Sequence, residues 1–443
     1  MVRPPFMDAA GPEPRHMVKG IFEIRTAAPE FLLRIKQQYG PVAQFPIPKP
    51  LTYLVSEPAL VDQVLRSNAK AFGKATIQYR TLALVTGFGL LAADTAAWRV
   101  RRPIVQPAFH HDLVAGVVEH SVSATNEVIS NLEQKLNQPI DVDHEMMSLA
   151  LNVVGTALFG ADFKTRADQV ISATLAGLDV VISRARTPIF PPKWLPTPLN
   201  LKLRRANRTL TKAVDQVIQN ATISPNKSTI ANLLVTELAA GNLTKTQVRD
   251  ELVTFIVAGH ETVASALSWA LHLLSQHSAV QEKIAAEVEQ VIGNRDPVFA
   301  DYQKLEYTRA VFNETMRLYP PAWVLTRNAT ADINLGGYEI SAGSLVVISP
   351  WVVHRDESVW PNSEVFDPAR FAADNRIPSG AYIPFGLGNR MCIGKDFAMF
   401  EGVIALAMLV RKFRFSATEK KVVPLPSVTV RPKSGLHLKL TLR

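Results

Sequence analysis

The run PFGLGNRMCIGKDFA, residues 384–398, places the single cysteine of this 443-residue chain among glycines and beside an arginine, just ahead of a long apolar helical pattern. A lone cysteine inside a cell is ordinarily a small buried hydrophobe. Three neighbours argue for chemistry here. Cys392 stands at the start of the expected helix, where unpaired backbone N–H groups and the helix dipole favour a thiolate. Gly386, Gly388 and Gly394 let the backbone turn sharply and let a bulky planar partner come close. Arg390 adds a positive charge suited to a carboxylate on that partner.

Other motifs fail on spacing. GLGNRM puts Met391 where a dinucleotide loop needs its last glycine, and Gly394-Lys395 is followed by Asp396 rather than the Ser or Thr of a phosphate loop. With no second cysteine there is no zinc ribbon, redox pair or thioether-linked haem. A single axial thiolate to a haem iron survives. In AGHETVASALSW, Ala258 and Thr262 lie one helical turn apart with Gly259 beside them. The Thr262 hydroxyl can compete for a backbone carbonyl or hold a water, and Glu261 is a plausible entry point for protons. The bland alternative is a core threonine beside a glutamate in a structural pair. A zinc-protease reading of HETVA fails at Ala264. ETMR sets Glu314 and Arg317 three apart on one helical face, and WRVRR sets Trp98 and Arg102 four apart.

These stretches, in this order, resemble the cytochrome P450 family, whose haem-binding loop takes the form of Phe385, Gly388, Arg390, Cys392 and Gly394. The resemblance spans roughly residues 30 to 440. It implies haem b (iron protoporphyrin IX) with Cys392 as the metal ligand, buried between the long central helix and the cysteine loop. It implies a propionate clamp of Trp98, Arg102, Arg327 and Arg390, with Ala258, Gly259, Phe385, Gly386 and Gly394 also at the cofactor. Thr262 and Glu261 would be catalytic, steering protons during monooxygenation; Val263 departs from the Ser or Thr usual after the threonine. Glu314, Arg317 and Arg370 would form a buried structural network rather than take part in catalysis. Electrons would come from NAD(P)H through a ferredoxin and its reductase, with Arg99, Arg101, Lys395, Arg411 and Lys412 as candidates for the docking face. KATIQYRTLALVTGFGLL, RLYPPAWVLTR and the cysteine segment are similar to a narrower group within the family, soluble bacterial members that hydroxylate β-carotene on its end rings. Gln78, Tyr79, Leu84, Val85, Phe255, Ala258, Trp323, Val324, Leu325, Thr429 and Val430 would then line a pocket for a long polyene, though the aliphatic ones serve equally as core. The nearer alternative is a fatty-acid or terpenoid hydroxylase. The distant one is a haem-thiolate protein that does not activate dioxygen, such as a peroxide rearrangement enzyme or gas sensor.

The elements that must position these residues read as mainly α with a minor β region. Length and the absence of linkers or repeats predict one haem domain over 1–443, with 1–27 a loosely held lead-in. A helix is expected from about Thr244 to Ser275, another from Lys395 to Lys412, strands near Val42 and Leu345, and a loop over 73–94. The long apolar helix carries His260 and Glu261 near its middle, so it reads as buried rather than membrane-spanning. No signal peptide or membrane anchor is legible, and the cytoplasm fits best. The formal charge of +9 favours acidic partners or anionic membranes, and with basic residues taken as scattered, nucleic acid is set aside. The proline-rich stretch IFPPKWLPTP reads as a connector, with a peripheral membrane contact as its alternative.

Overall fold

A computed structural model describes residues 9–15, 20, 23–24, 26–47, 49–185, 191–224, 229–419 and 422–443. Most of the expected lead-in, and the first residues of the proline-rich connector, lie outside the described residues. The chain forms two compact units: Met1–Arg80 with Met316–Phe366 and Asp374–Cys392, and Thr81–Thr315 with Asp367–Ala373 and Ile393–Arg443.

The first unit is built on a five-stranded sheet, ordered Val42–Phe45, Thr52–Val55, Leu345–Ile348, Leu325–Ala329, Phe72–Gly73. All neighbours are antiparallel except Thr52–Val55 with Leu345–Ile348, which run parallel. Alternation along the strands sends Val346 and Ile348 into a core shared with Val42, Tyr53, Val55, Leu60, Val61 and Ile383. Ile383 anchors the start of the cysteine loop in that core.

The second unit is helical. Its centre is Lys245–Gln276, opened by a capping box in which Thr244 Oγ1 accepts from Gln247 N (3.3 Å) and Gln247 Oε1 accepts from Thr244 N (2.8 Å). This helix is long and apolar enough to cross a membrane, yet 83% of its apolar window is buried inside the protein. Three polar side chains on it bond to neighbouring elements. Ser265 Oγ and Trp269 Nε1 both donate to Val430 O, at 2.6 and 2.8 Å, and Ser268 Oγ donates to Asp143 (2.9 Å). It packs along Val142–Val153, while Lys395–Lys412 packs along His111–Glu133. The small sheets of this unit pair Phe413–Ala417 and Ile140–Asp141 with His437–Leu442, and Pro424–Pro426 with Val430–Pro432.

The expected loop over 73–94 contains a helix, Ile77–Thr86. Its buried positions Tyr79, Leu82 and Val85 recur every three residues, but the run is short and bounded by glycines, which hides the period. The helix begun at Thr95 carries Pro103 within it and yields to a tighter 3₁₀ turn, Gln106–Phe109, around Pro107.

Helix packing in the second unit is close enough to demand glycine at 402, where a Cβ would collide with the Phe312 ring. Gly402→Ala is therefore expected to destabilise by about 1–3 kcal/mol. Denaturant unfolding should show it, and shortening the ring with Phe312→Leu in the same chain should recover most of the loss.

Candidate active site

In the first unit the cysteine segment is a turn, not yet a helix. Cys392 N donates to Phe385 O (2.9 Å) and Met391 N to Gly388 O (2.9 Å), and the helix itself starts at Lys395 with Gly394 as its cap. Gly386 and Gly388 both have φ of 71°. That conformation strains any residue with a Cβ, and at 388 a Cβ would also strike the Leu65 carbonyl. The Cys392 thiol, held on this turn, is exposed.

The turn is held from behind by a buried polar chain. Arg317 is 0% exposed, and its guanidinium donates to the carbonyls of His354 (2.9 Å), Ser363 (2.6 Å) and Val365 (3.1 Å). His354 Nε2 accepts from Ile383 N (2.9 Å), so Nδ1 carries the proton and donates to Arg317 O (3.2 Å). Burial, then the Arg317 charge, lowers the His354 pKa to about 3.

Three cations converge in the same unit. Lys74 is buried, its ammonium 4.1 Å from the Tyr79 ring centroid. Its pKa is held well below the usual lysine range by burial and then by Arg327 and Arg390. Arg327 donates to Thr326 O (2.9 Å) and to Tyr79 Oη (3.4 Å). Gln78 is fastened to the adjacent strand, donating to Val324 O (3.2 Å) and accepting from Thr326 Oγ1 (2.7 Å). Trp323 is buried, with its carbonyl accepting from Ser349 Oγ (2.8 Å), and Leu325 pairs in the sheet with Ile348.

The second unit contributes the long helix. From Glu251 to Leu274 it is buried except at Ala258, Gly259 and Thr262, a half-exposed window one turn long. Thr262 Oγ1 donates to Ala258 O (2.8 Å). At Gly259 a Cβ would lie 2.7 Å from Val154 Cγ2, so close helix packing is one reason for glycine there. Glu261 points into the protein, where Oε1 accepts from Thr429 Oγ1 (2.9 Å). Burial raises its pKa to about 7 against the pull of Arg431 and the Thr429 hydrogen bond, and Asp143 pushes the same way as burial. His260 bonds Ile256 O through Nδ1 and is kept neutral by burial, with a pKa of about 4.

Trp98 and Arg102 share a helix face, the guanidinium 6.0 Å from the indole centroid. Glu314 accepts from Asp367 N (2.9 Å) and faces Arg370 Nε at 3.6 Å. Several expected pocket residues are core in this unit. Phe255 packs on Phe109 (5.9 Å between centroids), Val85 packs on Gly177, and Val430 is 0% exposed, while Leu84 is half-buried and gives its carbonyl to Asn207 (2.9 Å). Among the cations expected on a docking face, Arg99 and Lys395 are exposed and Lys412 pairs with Glu133. Arg411 is spent on the carbonyls of Gly293 and Arg295, and Arg101 is buried against Glu251 at 3.2 Å. Lys74, His354 and the grip of Thr429 on Glu261 have no local sequence signal, because each depends on partners distant in the chain.

A thiol displayed on a glycine turn, with Lys74, Arg327 and Arg390 gathered in the same unit, is the donor set a haem-thiolate site asks for, and comparison with known proteins gives the family. The Cytochrome P450 family model matches residues 10–440. The chain is 33% identical over 402 residues to Cyclooctatin synthase of Streptomyces melanosporofaciens, covering 88% of this chain and 84% of that one. It is 33% identical over 419 residues to Protein LUTEIN DEFICIENT 5, chloroplastic, of Arabidopsis thaliana, covering 88% and 70%. It is 32% identical over 388 residues to Cyclooctat-9-en-7-ol 5-monooxygenase of Streptomyces melanosporofaciens, covering 85% and 82%. The chain belongs to the cytochrome P450 family. It is a cytochrome P450 monooxygenase, mainly helical with a small β region, and membership implies a haem. The residues present fit that group, since three crowded cations, one with its ammonium pKa depressed, call for carboxylates close by.

Because the His354 pKa is lowered on folding, the unfolded chain takes up that proton first. Stability from this group is therefore complete above about pH 6.5 and falls as the pH is lowered toward 3, by about 1.4 kcal/mol per unit. His354→Gln is expected to be less stable at neutral pH and to lose less on acidification, which chemical unfolding of parent and variant between pH 7 and 4 measures.

Proposed function

We propose that this enzyme hydroxylates a long apolar substrate, a carotenoid in the first place, with Cys392 as the residue that would hold the iron of haem b. The observation that carries the monooxygenase roles is the half-exposed window Ala258, Gly259 and Thr262 next to a buried glutamate whose pKa is about 7. A carboxyl poised there both gives and takes a proton near neutral pH. When bound, haem supplies the dioxygen chemistry, in which one oxygen atom enters the substrate and the other leaves as water, using two electrons from NAD(P)H and two protons. Thr429 fixes Glu261 Oε1, and the Thr262 hydroxyl, one residue along the helix, would be the group that passes a proton into the site. Arg327, Arg390, Trp98 and Arg102, joined by Lys74, would hold the propionates, with Phe385, Gly386, Gly394, Ala258 and Gly259 against the ring. Glu314, Arg317 and Arg370 keep a scaffold role. Electrons arrive from a ferredoxin and its reductase, for which Arg99 and Lys395 remain as exposed docking cations.

The carotenoid reading is supported by the likeness to Protein LUTEIN DEFICIENT 5 and by the lipophilic lining offered by Trp323, Val324 and Leu325. A second reading, hydroxylation of a cyclic terpenoid, is favoured by the likeness to Cyclooctat-9-en-7-ol 5-monooxygenase. Titrating the haem-loaded protein with β-carotene, palmitate and a cyclic diterpene alcohol decides between them. A high-spin shift and an NADPH-dependent hydroxylated product are expected with carotenoid. A response confined to the diterpene alcohol selects the second reading, and turnover of a peroxide without reductant overturns both.

Two variants test the residue roles. Cys392→Ala is expected to abolish the carbon monoxide spectrum of a thiolate-ligated haem together with turnover. Thr262→Ala is expected to leave that spectrum intact while lowering product formed per NADPH consumed by about 100-fold.

A further inference from the structure

One face of the central helix carries Glu261, Ser265 and Ser268 at helical spacing, and the chain from Thr429 to Arg431 lies against it. Each of those three residues is bonded. Thr429 Oγ1 donates to Glu261 Oε1 (2.9 Å), Val430 O accepts from Ser265 Oγ (2.6 Å) and Trp269 Nε1 (2.8 Å), and Arg431 Nη2 donates to Asp143 Oδ2. Asp143, near the start of the helix Val142–Val153, is held at its other oxygen by Ser268 Oγ (2.9 Å). The ion pair is nearly closed to water, with 12% of the Arg431 side chain and 6% of the Asp143 side chain exposed.

For docking the strand alone this pair is redundant. Val430 O already fastens the strand to the helix without charge, and a buried ion pair carries a desolvation penalty that a neutral fastening avoids. The pair does act on Glu261. Burial pushes that carboxyl toward its neutral form; Arg431 and then the Thr429 hydrogen bond pull it toward the ionised one, and Asp143 pushes with burial. On its own helix the neighbouring His260 is buried, neutral and bonded to Ile256 O. Thr429, Arg431 and Asp143 are therefore the groups from packed elements that decide the charge of Glu261 among the described residues. Arg431 stands only two residues from Thr429, and an unpaired carboxylate beside it would be a natural partner for its guanidinium. Asp143 takes that guanidinium instead, and Ser268 keeps Asp143 in place to do so.

We propose that Asp143 is a positioning residue for the proton step: by holding Arg431 it keeps the guanidinium off Glu261 and leaves that carboxyl able to be both protonated and ionised. The inference rests on the proton role given to Glu261 above and adds to it a residue on another helix that acts only through Arg431.

Infrared titration of the haem-loaded protein between pH 5 and 9 tests it, following the C=O band of protonated Glu261 as identified by its loss in Glu261→Gln. Asp143→Asn keeps an acceptor for Ser268 but releases Arg431, and is expected to lower the midpoint from about 7 by about 1 pH unit. The protonated fraction at neutral pH then falls about fivefold, and product formed per NADPH consumed falls with it. Asp143→Glu should restore the parent midpoint. Arg431→Gln alone should raise the midpoint, an arm that stands even where Asp143→Asn does not fold, and adding Asp143→Asn to it should move the midpoint far less than in the parent. An unshifted midpoint in Asp143→Asn, the same shift with and without Arg431, or no rise in Arg431→Gln overturns the inference. Shifted midpoints with an unchanged product ratio uphold it and overturn instead the proton role of Glu261. Carbon monoxide spectra matching the parent's identify the variants whose haem site is intact.

Discussion

A guanidinium shut away from water is the constraint on which the cysteine segment depends. Arg317 is wholly buried, so the donors of its guanidinium must be met by the protein. They are met by carbonyls of His354, Ser363 and Val365, which fixes the path of the chain through that region. The His354 ring then carries the order forward to Ile383, and Ile383 is the last core residue before the turn that displays the thiol. An aliphatic side chain at 317 would remove the charge but strand three acceptors, each costing about 1–3 kcal/mol. The arrangement secures position rather than surplus stability.

The helical unit meets the same conflict between charge and burial at Glu261, with a different outcome. The carboxylate has a hydroxyl partner in Thr429 and feels Arg431, but burial still dominates and brings its pKa to about 7. A stronger partner would have left it permanently ionised, and no partner would have left it permanently neutral. Arg431 is itself engaged by Asp143, which dilutes its pull on Glu261. The geometry around one strand end thus sets the balance between burial and partner charge at Glu261.

Much of the fold was readable from pattern alone. The helix Lys395–Lys412 begins and ends where its glycine cap, acidic first turn and basic last turn say it should, and Lys245–Gln276 differs from expectation by one residue at each end. Short elements were not readable. The helix Ile77–Thr86 is hidden by its brevity, and the strands at 424–426 and 430–432 carry prolines at positions where a strand is not expected. In the site, residue types showed in motifs, whereas partners did not. Thr429 and Glu261 are 168 residues apart, and no local spacing announces that pair. Lys74 is a single cation in an unremarkable run, and only the fold brings it beside Arg327 and Arg390.

Eight of the nine net positive charges come from the segment Arg184 to Lys212, and this changes what bulk measurements on this protein report. The chain's isoelectric point near 9.5 is owed mainly to that segment, since the rest of the sequence holds 40 basic against 39 acidic residues. Retention on a cation exchanger would track the accessibility of the helix Pro198–Ile223 rather than the protein at large. Colloidal repulsion between molecules in solution would vanish if those few side chains were neutralised, making solubility hostage to a single patch.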